Sequence, residues 1–597
     1  MSSFDFTSHV PEPAEPPWRP LDRAVRRWTL AHGGSVALAD LAAWASLADG
    51  AGDTALPLLG AGAGRHGLPP FEPPQLDALR GEPLVGDGTA PTPFVLDAAG
   101  RFYLWRNHAD EVAVAALLRA RRAAGAAVAV DAADLGALFH GDASAAVRRQ
   151  REAVRNVAGR RLFVLTGGPG TGKTTTVLRM LLMLQKHLPE PRIAVAAPTG
   201  KAAQRLVQSL RAGKQALLGH PAAPLPHAWH ALLDRIPDGE ALTLHRLLGY
   251  DPRRNRYARD RANPLAADVV VVDEASMIDL GLLRALLEAV RPEAALVLVG
   301  DADQLTSVGA GSVLLDLVSV LEAQRAPELV RLEHSFRAEQ PLAAINRAVR
   351  EGDAVALREA FRAAGAQAQR HEVESGESFR RALQRWTAAL AELPLRPVLP
   401  ADDEAAAAAQ ALAALRALSR RQLLCALREG AHGALAANAW IERRLKQLWN
   451  VPEEQEWYPG RAVLVVRNDY AARLFNGDVG LCLADAAGRL RVWFEGTDAD
   501  GRPAARAFGP GTVPSHEGAF AVTIHKSQGS EYDHVAVLLP PDAEHRILSR
   551  QLLYTGLSRA RRQVELWGSE AATAAALAQP AYRAGGLRDR LLEQAWQ

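Results

Sequence analysis

Four short apolar runs mark the middle of the chain: RLFVLTGG (161–168), RIAVAAP (192–198), DVVVVDEA (268–275) and ALVLVGD (295–301). They are rich in Val and Leu, and text of helical character lies between them. Their hydrophobicity is continuous rather than alternating, which marks strands covered on both faces of a parallel α/β sheet. Each run ends in a polar or Gly-rich segment, and such sheets bind ligands outside the carboxyl ends of their strands. A second set follows: RQLLCALR (421–428), RAVLVVRND (461–469), FAVTIHKSQG (520–529), HVAVLLP (534–540) and QVELWG (563–568). It predicts a second α/β domain. Between about 476 and 518 the pattern alternates, as in GDVGLCLADAAGRLRVWFEG, and predicts a small antiparallel β insert. EAAAAAQALAALRALSRR (404–421) is low in complexity and reads as a helix without chemistry of its own.

The first 20 residues are Pro-rich and expected to be poorly ordered. From about 21 to 140 the pattern is mostly helical, with Pro/Gly breaks near 57–93. PFVLDAAGRFYLW (93–105) reads as two short strands about an Ala-Gly turn. This region carries no catalytic constellation and is expected to be an interaction domain. The fold class is thus α/β, with an N-terminal interaction or scaffold domain (1–140) and two α/β domains (141–333 and 334–597). The first has a hairpin insert at about 250–265, the second a β insert at about 476–518.

Composition narrows the options without choosing among them. Lys plus Arg is 69 and Asp plus Glu 67, so a nucleic-acid partner must be held by local grooves rather than bulk charge. Cys425 and Cys482 fit neither a metal site nor a disulfide framework, which suits a reducing compartment. No signal peptide and no apolar run of about 18 residues is visible, so a soluble cytoplasmic protein is expected.

The chemistry starts at GGPGTGKTTT (167–176), which fits G-x-x-x-x-G-K-[ST] between a strand and a helix. Gly167, Gly168, Gly170, Thr171 and Gly172 supply backbone N–H groups that wrap phosphates, and Pro169, which has no N–H to give, lies within the same nucleotide-binding loop. The helix beginning at Lys173, Thr174 and Thr175 adds a favourable dipole. Lys173 suits the β/γ-phosphates of ATP, and Thr174 suits Mg²⁺. VVVVDEASM (269–277) supplies a second half: Asp273 as a metal ligand at a strand end and Glu274 as the base that orients and deprotonates water. Gln304, in LVGDADQL, is placed to sense the γ-phosphate.

The ordered series GGPGTGKT, APTGKAAQRL (197–206), TLHRLLG (243–249), VVVDEASMID (270–279), LVGDADQL, HSFR (334–337), TIHKSQGSEYD (523–533) and YTGLSRARRQV (554–564) resembles superfamily-1 helicases of the 5′-to-3′ branch. Within that branch it is most similar to the RecD family, the alpha subunits of exodeoxyribonuclease V (RecBCD). The likeness runs from about residue 90 to 568. It implies two RecA-like motor domains, ATP and Mg²⁺ as cofactors, RecB and RecC as partners, and action on single-stranded and duplex-end DNA in double-strand break repair. It also implies that Arg337 and Arg559 face the γ-phosphate, that Gln150 reads adenine, and that Gly529 and Glu531 contact nucleotide. Pro198, Thr199, Gly200, Lys201, Thr243, His245, Thr523, His525 and Lys526 lie in segments that touch the strand in relatives. Hydroxyls, backbone N–H groups and Lys contact phosphates without reading sequence. No nuclease carboxylate cluster is evident, and in the family the nuclease belongs to RecB.

One stretch stands apart. GYDPRRNRYARDRANP (249–264) crowds five arginines between two motifs of the first motor. Relatives hold a protruding hairpin there. Tyr250 and Tyr257 fit its arms, and Arg253, Arg254 and Arg256 fit its turn and predict DNA contact. A solvated basic loop is the competing reading. Three other functions stay open: a free-standing helicase of the same branch, a scaffold subunit with a degenerate ATPase, and an RNA helicase.

Overall fold

The structure is a computed structural model that describes residues 16–68, 71–220, 224–239, 242–336, 340–469, 471–498, 502–580 and 583–592. The expectation for the first 20 residues therefore falls largely outside the described residues. The chain divides into two compact units: one comprises Met1–Ala115, Val308–Gly311 and Arg583–Gln597, the other Ala116–Ser307 and Ser312–Tyr582.

In the first unit, paired helices Pro20–Ala31 and Val36–Gly50 accompany a four-stranded sheet. Its strands are β1 (Leu56–Pro57), β2 (Val85–Gly86), β3 (Phe94–Leu96) and β4 (Arg101–Leu104), in the order β1-β4-β3-β2. The strands flanking the Ala-Gly turn pair antiparallel, as so short a connection requires. Leu38, Leu41, Phe94 and Phe102 form the core. The far end of the chain folds here too, although the sequence pattern assigned it to the second motor. The Ala584 carbonyl accepts from Thr54 N at 2.8 Å, and buried Glu111 accepts from Gly586 N at 3.0 and 3.1 Å.

The second unit holds both motor domains. The first has strands β5 (Leu162–Gly167), β6 (Ile193–Ala197), β7 (Leu242–Thr243), β10 (Val269–Val272), β11 (Ala295–Gly300) and β12 (Leu329–Leu332), with a hairpin β8 (Tyr250–Asp251) and β9 (Arg256–Tyr257) between them. The sheet order is β12-β5-β11-β10-β6-β7, every pairing parallel. β5, β10 and β11 are buried along their whole lengths, which explains their unbroken apolar runs. The hairpin is shorter than the pattern suggested. It closes at Tyr250 opposite Tyr257, and residues 258–264 form a loop tied by Asp260 and Asn263.

The second motor is built on β13 (Ala368–His371), β14 (Arg421–Cys425), β20 (Ala521–Thr523), β21 (Tyr532–Leu538) and β22 (Ala560–Trp567), in the order β13-β22-β21-β14-β20 and again parallel. RAVLVVRND does not join this sheet. Its strand β15 (Ala462–Val465) belongs to the antiparallel insert with β16 (Val479–Ala484), β17 (Leu490–Thr497), β18 (Pro503–Phe508) and β19 (His516–Gly518), in the order β18-β17-β16-β15-β19. β15 is buried on both faces because other packed layers cover the insert, so it looked like a parallel strand. The Ala-rich helix Glu404–Leu418 supplies part of that cover, and Glu404 pairs with Arg491 at 2.8 Å.

The edge strand β20 leads directly into the TIHKSQG segment, and one side chain holds it. Buried Asn438, on helix Ala434–Leu448, donates to the carbonyls of Gly518 (3.0 Å) and Ala521 (2.6 Å) and accepts from Ala521 N (2.9 Å). Asn438→Ala leaves these backbone groups without partners, a cost of about 1–3 kcal/mol each where water stays out. Urea denaturation followed by tryptophan fluorescence should show the second motor destabilised by roughly 2–4 kcal/mol.

Candidate nucleotide and nucleic-acid site

The P-loop sits at the carboxyl end of β5. Gly172 adopts φ +81°, a left-handed backbone that favours glycine, and a Cβ there would press on the end of the Gln150 side chain. Gln150 is buried rather than exposed on its helix and donates to the Thr171 carbonyl at 3.1 Å. Thr171 Oγ1 donates to the Gly168 carbonyl at 2.8 Å, and Lys173 Nζ donates to the carbonyls of Gly167 (2.7 Å) and Gly168 (3.1 Å). Thr174 and Thr175 open helix Lys173–His187. The HSFR segment lies on the same loop: Phe336 N donates to Gly170 O at 2.8 Å, and Ser335 Oγ reaches Pro169 O at 3.5 Å. Arg337 lies outside the described residues.

β10 ends at the two carboxylates. Asp273 Oδ1 accepts from Glu274 N at 2.8 Å. Burial and the neighbouring Glu274 charge push the Asp273 carboxyl up to about 6, while Lys173 and Arg205 oppose the shift. Glu274 adopts φ +53°, a left-handed conformation that costs a non-glycine residue about 1–2 kcal/mol. The turn at Gly529, φ +71°, comes from the second motor and passes beside it. A Cβ on Gly529 would sit 3.9 Å from Glu274 Oε1.

The two motors meet through a chain of buried polar groups. Gln304 Nε2 donates to Asp301 Oδ2 at 2.9 Å, and its Oε1 accepts from Arg559 Nη2. Arg559, only 3% exposed, also donates to Thr555 O (3.0 Å) and Ser530 O (3.3 Å). Tyr554 Oη donates to Asp301 at 3.1 Å, and burial beside Asp301 and Asp303 keeps the phenol neutral. Thr555 Oγ1 accepts from Leu305 N at 2.8 Å, and Gln528 Nε2 donates to Leu305 O at 3.0 Å. Glu531 is gripped by Arg561 at 2.9 and 3.0 Å and pairs with Arg205 at 3.7 Å.

The residues expected to meet DNA lie at the ends of strands of both sheets. Pro198 follows β6, and Thr199 caps helix Gly200–Leu218 by accepting from Ala202 N at 3.2 Å. A Cβ on Gly200 would meet the Phe475 ring at 2.9 Å, so this helix start abuts the loop before β16. Lys201 lies near Asp478 of the same loop and opposes the rise that burial imposes on its carboxyl. Thr243 caps the next short helix by accepting from Arg246 N at 3.2 Å. His245 packs edge-on against Tyr250 at 5.2 Å, and Tyr250 lies 5.2 Å from Tyr257. Arg253, Arg254 and Arg256 are exposed at the hairpin tip, where Asn255 turns at φ +48° and accepts from Tyr250 Oη at 2.7 Å. In the second motor, Thr523 Oγ1 accepts from Lys526 N at 3.3 Å, Lys526 Nζ pairs with Glu517, and His525 opens a short helical turn.

Sequence reasoning missed Arg205, Asp301, Gln528 and Tyr554. Each lies inside or beside a quoted motif, but the contacts of Arg205 with Gly529 and Glu531, of Gln528 with Leu305 and of Tyr554 with Asp301 arise only from the packing of one motor on the other.

Two parallel sheets that bring a P-loop, an Asp-Glu strand end and a glutamine-arginine contact together define a superfamily-1 ATP-dependent helicase. Residues 150–310 match the AAA domain family and residues 518–566 the UvrD-like helicase C-terminal domain. The RecBCD enzyme subunit RecD of Mycobacterium tuberculosis (strain ATCC 25618 / H37Rv) is 40% identical over 544 residues, covering 89% of this chain and 86% of the relative. That of Mycolicibacterium smegmatis is 38% identical, covering 89% of each. The ATP-dependent RecD2 DNA helicase of Deinococcus radiodurans is 32% identical, covering 71% of this chain and 49% of the relative. The chain belongs to the RecD family. Among the described residues no helix is long and apolar enough to cross a membrane.

The raised Asp273 pKa has a consequence for stability. A carboxyl at about 6 when folded and about 4 when unfolded destabilises the fold progressively as pH rises from about 4 to about 6, and fully above that. Asp273→Asn should therefore stabilise the protein by about 1–2 kcal/mol at pH 7.5 and by little near pH 4. Thermal melts of both proteins across that range, without nucleotide, measure the difference.

Proposed function

We propose that the chain is the 5′-to-3′ DNA motor of a RecBCD-type heterotrimer, acting with RecB and RecC on duplex ends, with ATP as fuel. The motor reading rests on the buried contact between Arg559 of the second motor and Gln304 of the first. A charge held at that seam can exchange the Gln304 oxygen for a phosphate oxygen, so ATP turnover and motor closure become one event. Lys173 and the Gly167–Thr175 backbone bind the triphosphate, with Gln150 bracing the loop. Gly529 and Glu531 line the nucleotide from the other side, and Glu274 accepts the proton of the attacking water. Arg337 is assigned the same electrostatic role as Arg559. The Thr174 hydroxyl and Asp273 carboxylate are oxygen donors of the kind Mg²⁺ prefers, and the ion would neutralise charge across the β/γ oxygens.

Pro198–Lys201, Thr243 and His245 of the first motor, with Thr523, His525 and Lys526 of the second, form two sequence-neutral grips on one strand. Alternate tightening of the two grips as the motors close and open moves the strand. The subunit role is favoured over a free-standing helicase by likeness: the chain is 40% identical over 544 residues to a RecD relative and 32% identical over 431 residues to RecD2.

Co-expression with RecB and RecC should give a stable complex that unwinds a 5′-tailed duplex by this motor. Lys173→Gln should lower the chain's DNA-stimulated ATP hydrolysis by roughly 100-fold. Monomeric elution with full unwinding activity would favour the free-standing reading, and stimulation by RNA equal to DNA would favour an RNA helicase. Absence of any Lys173-dependent hydrolysis would favour a scaffold. Changing Arg253, Arg254 and Arg256 together to Ala should slow unwinding several-fold while single-strand-stimulated ATP hydrolysis stays within about twofold. Equal loss of both, or of neither, would argue against a strand-splitting hairpin.

A further inference from the structure

One helix touches both halves of the proposed cycle. Helix Gly200–Leu218 begins with Thr199, Gly200 and Lys201, the residues assigned to the strand. One turn further on, Arg205 reaches out of the first motor. Its Nη1 donates to the Gly529 carbonyl, and its Nη2 lies 3.7 Å from Glu531 Oε2. Glu531 is in turn clasped by Arg561 through two bonds at 2.9 and 3.0 Å, so Arg205 grips a carboxylate already fixed in the second motor. The Gly529 turn it holds is buried. A Cβ there would lie 3.7 Å from Ala202 Cβ and 3.9 Å from Glu274 Oε1. The turn is thus wedged between the start of the strand-facing helix and the side chain assigned to activate water.

We propose that Arg205 is a positioning residue that makes ATP hydrolysis respond to DNA: it ties the strand-facing helix to the Gly529 turn, and the turn sets Glu274. A movement of the helix start on binding a strand is carried by a rigid helical turn to Arg205, and from there to the carbonyl and carboxylate it holds. Arginine suits the task because its planar fork serves two acceptors at once, whereas lysine offers a single point of charge. Arg205 touches no reacting atom in this scheme. It changes where Glu274 stands, not what Glu274 does. The inference rests on the motor function proposed above.

The test uses the purified full chain, in complex with its partners if it assembles with them. ATP hydrolysis is measured with and without a single-stranded oligonucleotide, alongside oligonucleotide affinity by fluorescence anisotropy. Arg205→Gln should cut the stimulation by DNA at least tenfold. The DNA-free rate and KM for ATP should stay within about twofold, and affinity for the strand within about threefold. Arg205→Lys should retain an intermediate stimulation, and serves as the reading if thermal melts show the Gln variant unfolded. Stimulation within twofold of the parent in a folded variant would overturn the inference. So would a fall in affinity that accounts for the whole loss, because Arg205 would then be a strand contact. A parent protein that DNA does not stimulate would instead overturn the motor function.

Discussion

A guanidinium buried to 3% exposure must spend its donors on protein acceptors, because an unpaired buried charge costs several kcal/mol. Arg559 meets this demand only when the two motors are packed together. Two of its acceptors, Thr555 O and Ser530 O, lie in its own domain, and the third is Gln304 of the other. Gln304 is oriented by Asp301, which also accepts from the neutral phenol of Tyr554. The seam is therefore a run of donors and acceptors in which each member fixes the next, and removing one strands its neighbours. The first sheet by itself sets the P-loop beside the carboxylate pair, and the packing at that seam brings the Gly529 turn of the second motor against Glu274.

The site is assembled from strand ends because parallel sheets leave their carboxyl edges free for loops. β5 delivers the P-loop, β10 the Asp273–Glu274 pair and β11 the Asp301–Gln304 loop. β20 delivers the Thr523–Lys526 segment from the second sheet. Local discomfort is concentrated in the same place. Glu274 holds a left-handed backbone, and Asp273 carries a carboxyl whose ionisation the fold resists. Both are features that stability alone would remove, and both are held by the surrounding strands.

Much of this was readable beforehand, for a physical reason. β5, β10 and β11 are covered on both faces and read as unbroken apolar runs, and the loops after them carry residue types tied to phosphate chemistry. The same rule misplaced β15, which is buried on both faces but belongs to an antiparallel sheet. Burial shows in a strand's composition, and pairing partner does not. The hairpin was legible from its two tyrosines and the turn between them, but its length was overread, because the arginines that continue the pattern beyond Tyr257 lie in a loop.

The sequence by itself determined the strands β5, β6, β10 and β11, the P-loop, the acidic strand end and the family to which the chain belongs, since each is written in contiguous residues whose spacing is set by backbone geometry. Tertiary structure alone decided which side chains meet across the motors. The Arg559–Gln304 contact joins residues 255 apart in the chain, and the Arg205–Gly529 contact residues 324 apart. It also decided that residues 583–592 return to the first unit and that Gln150 is a buried brace. Such contacts depend on how packed surfaces bring distant backbones together, and no local pattern of residues encodes that distance.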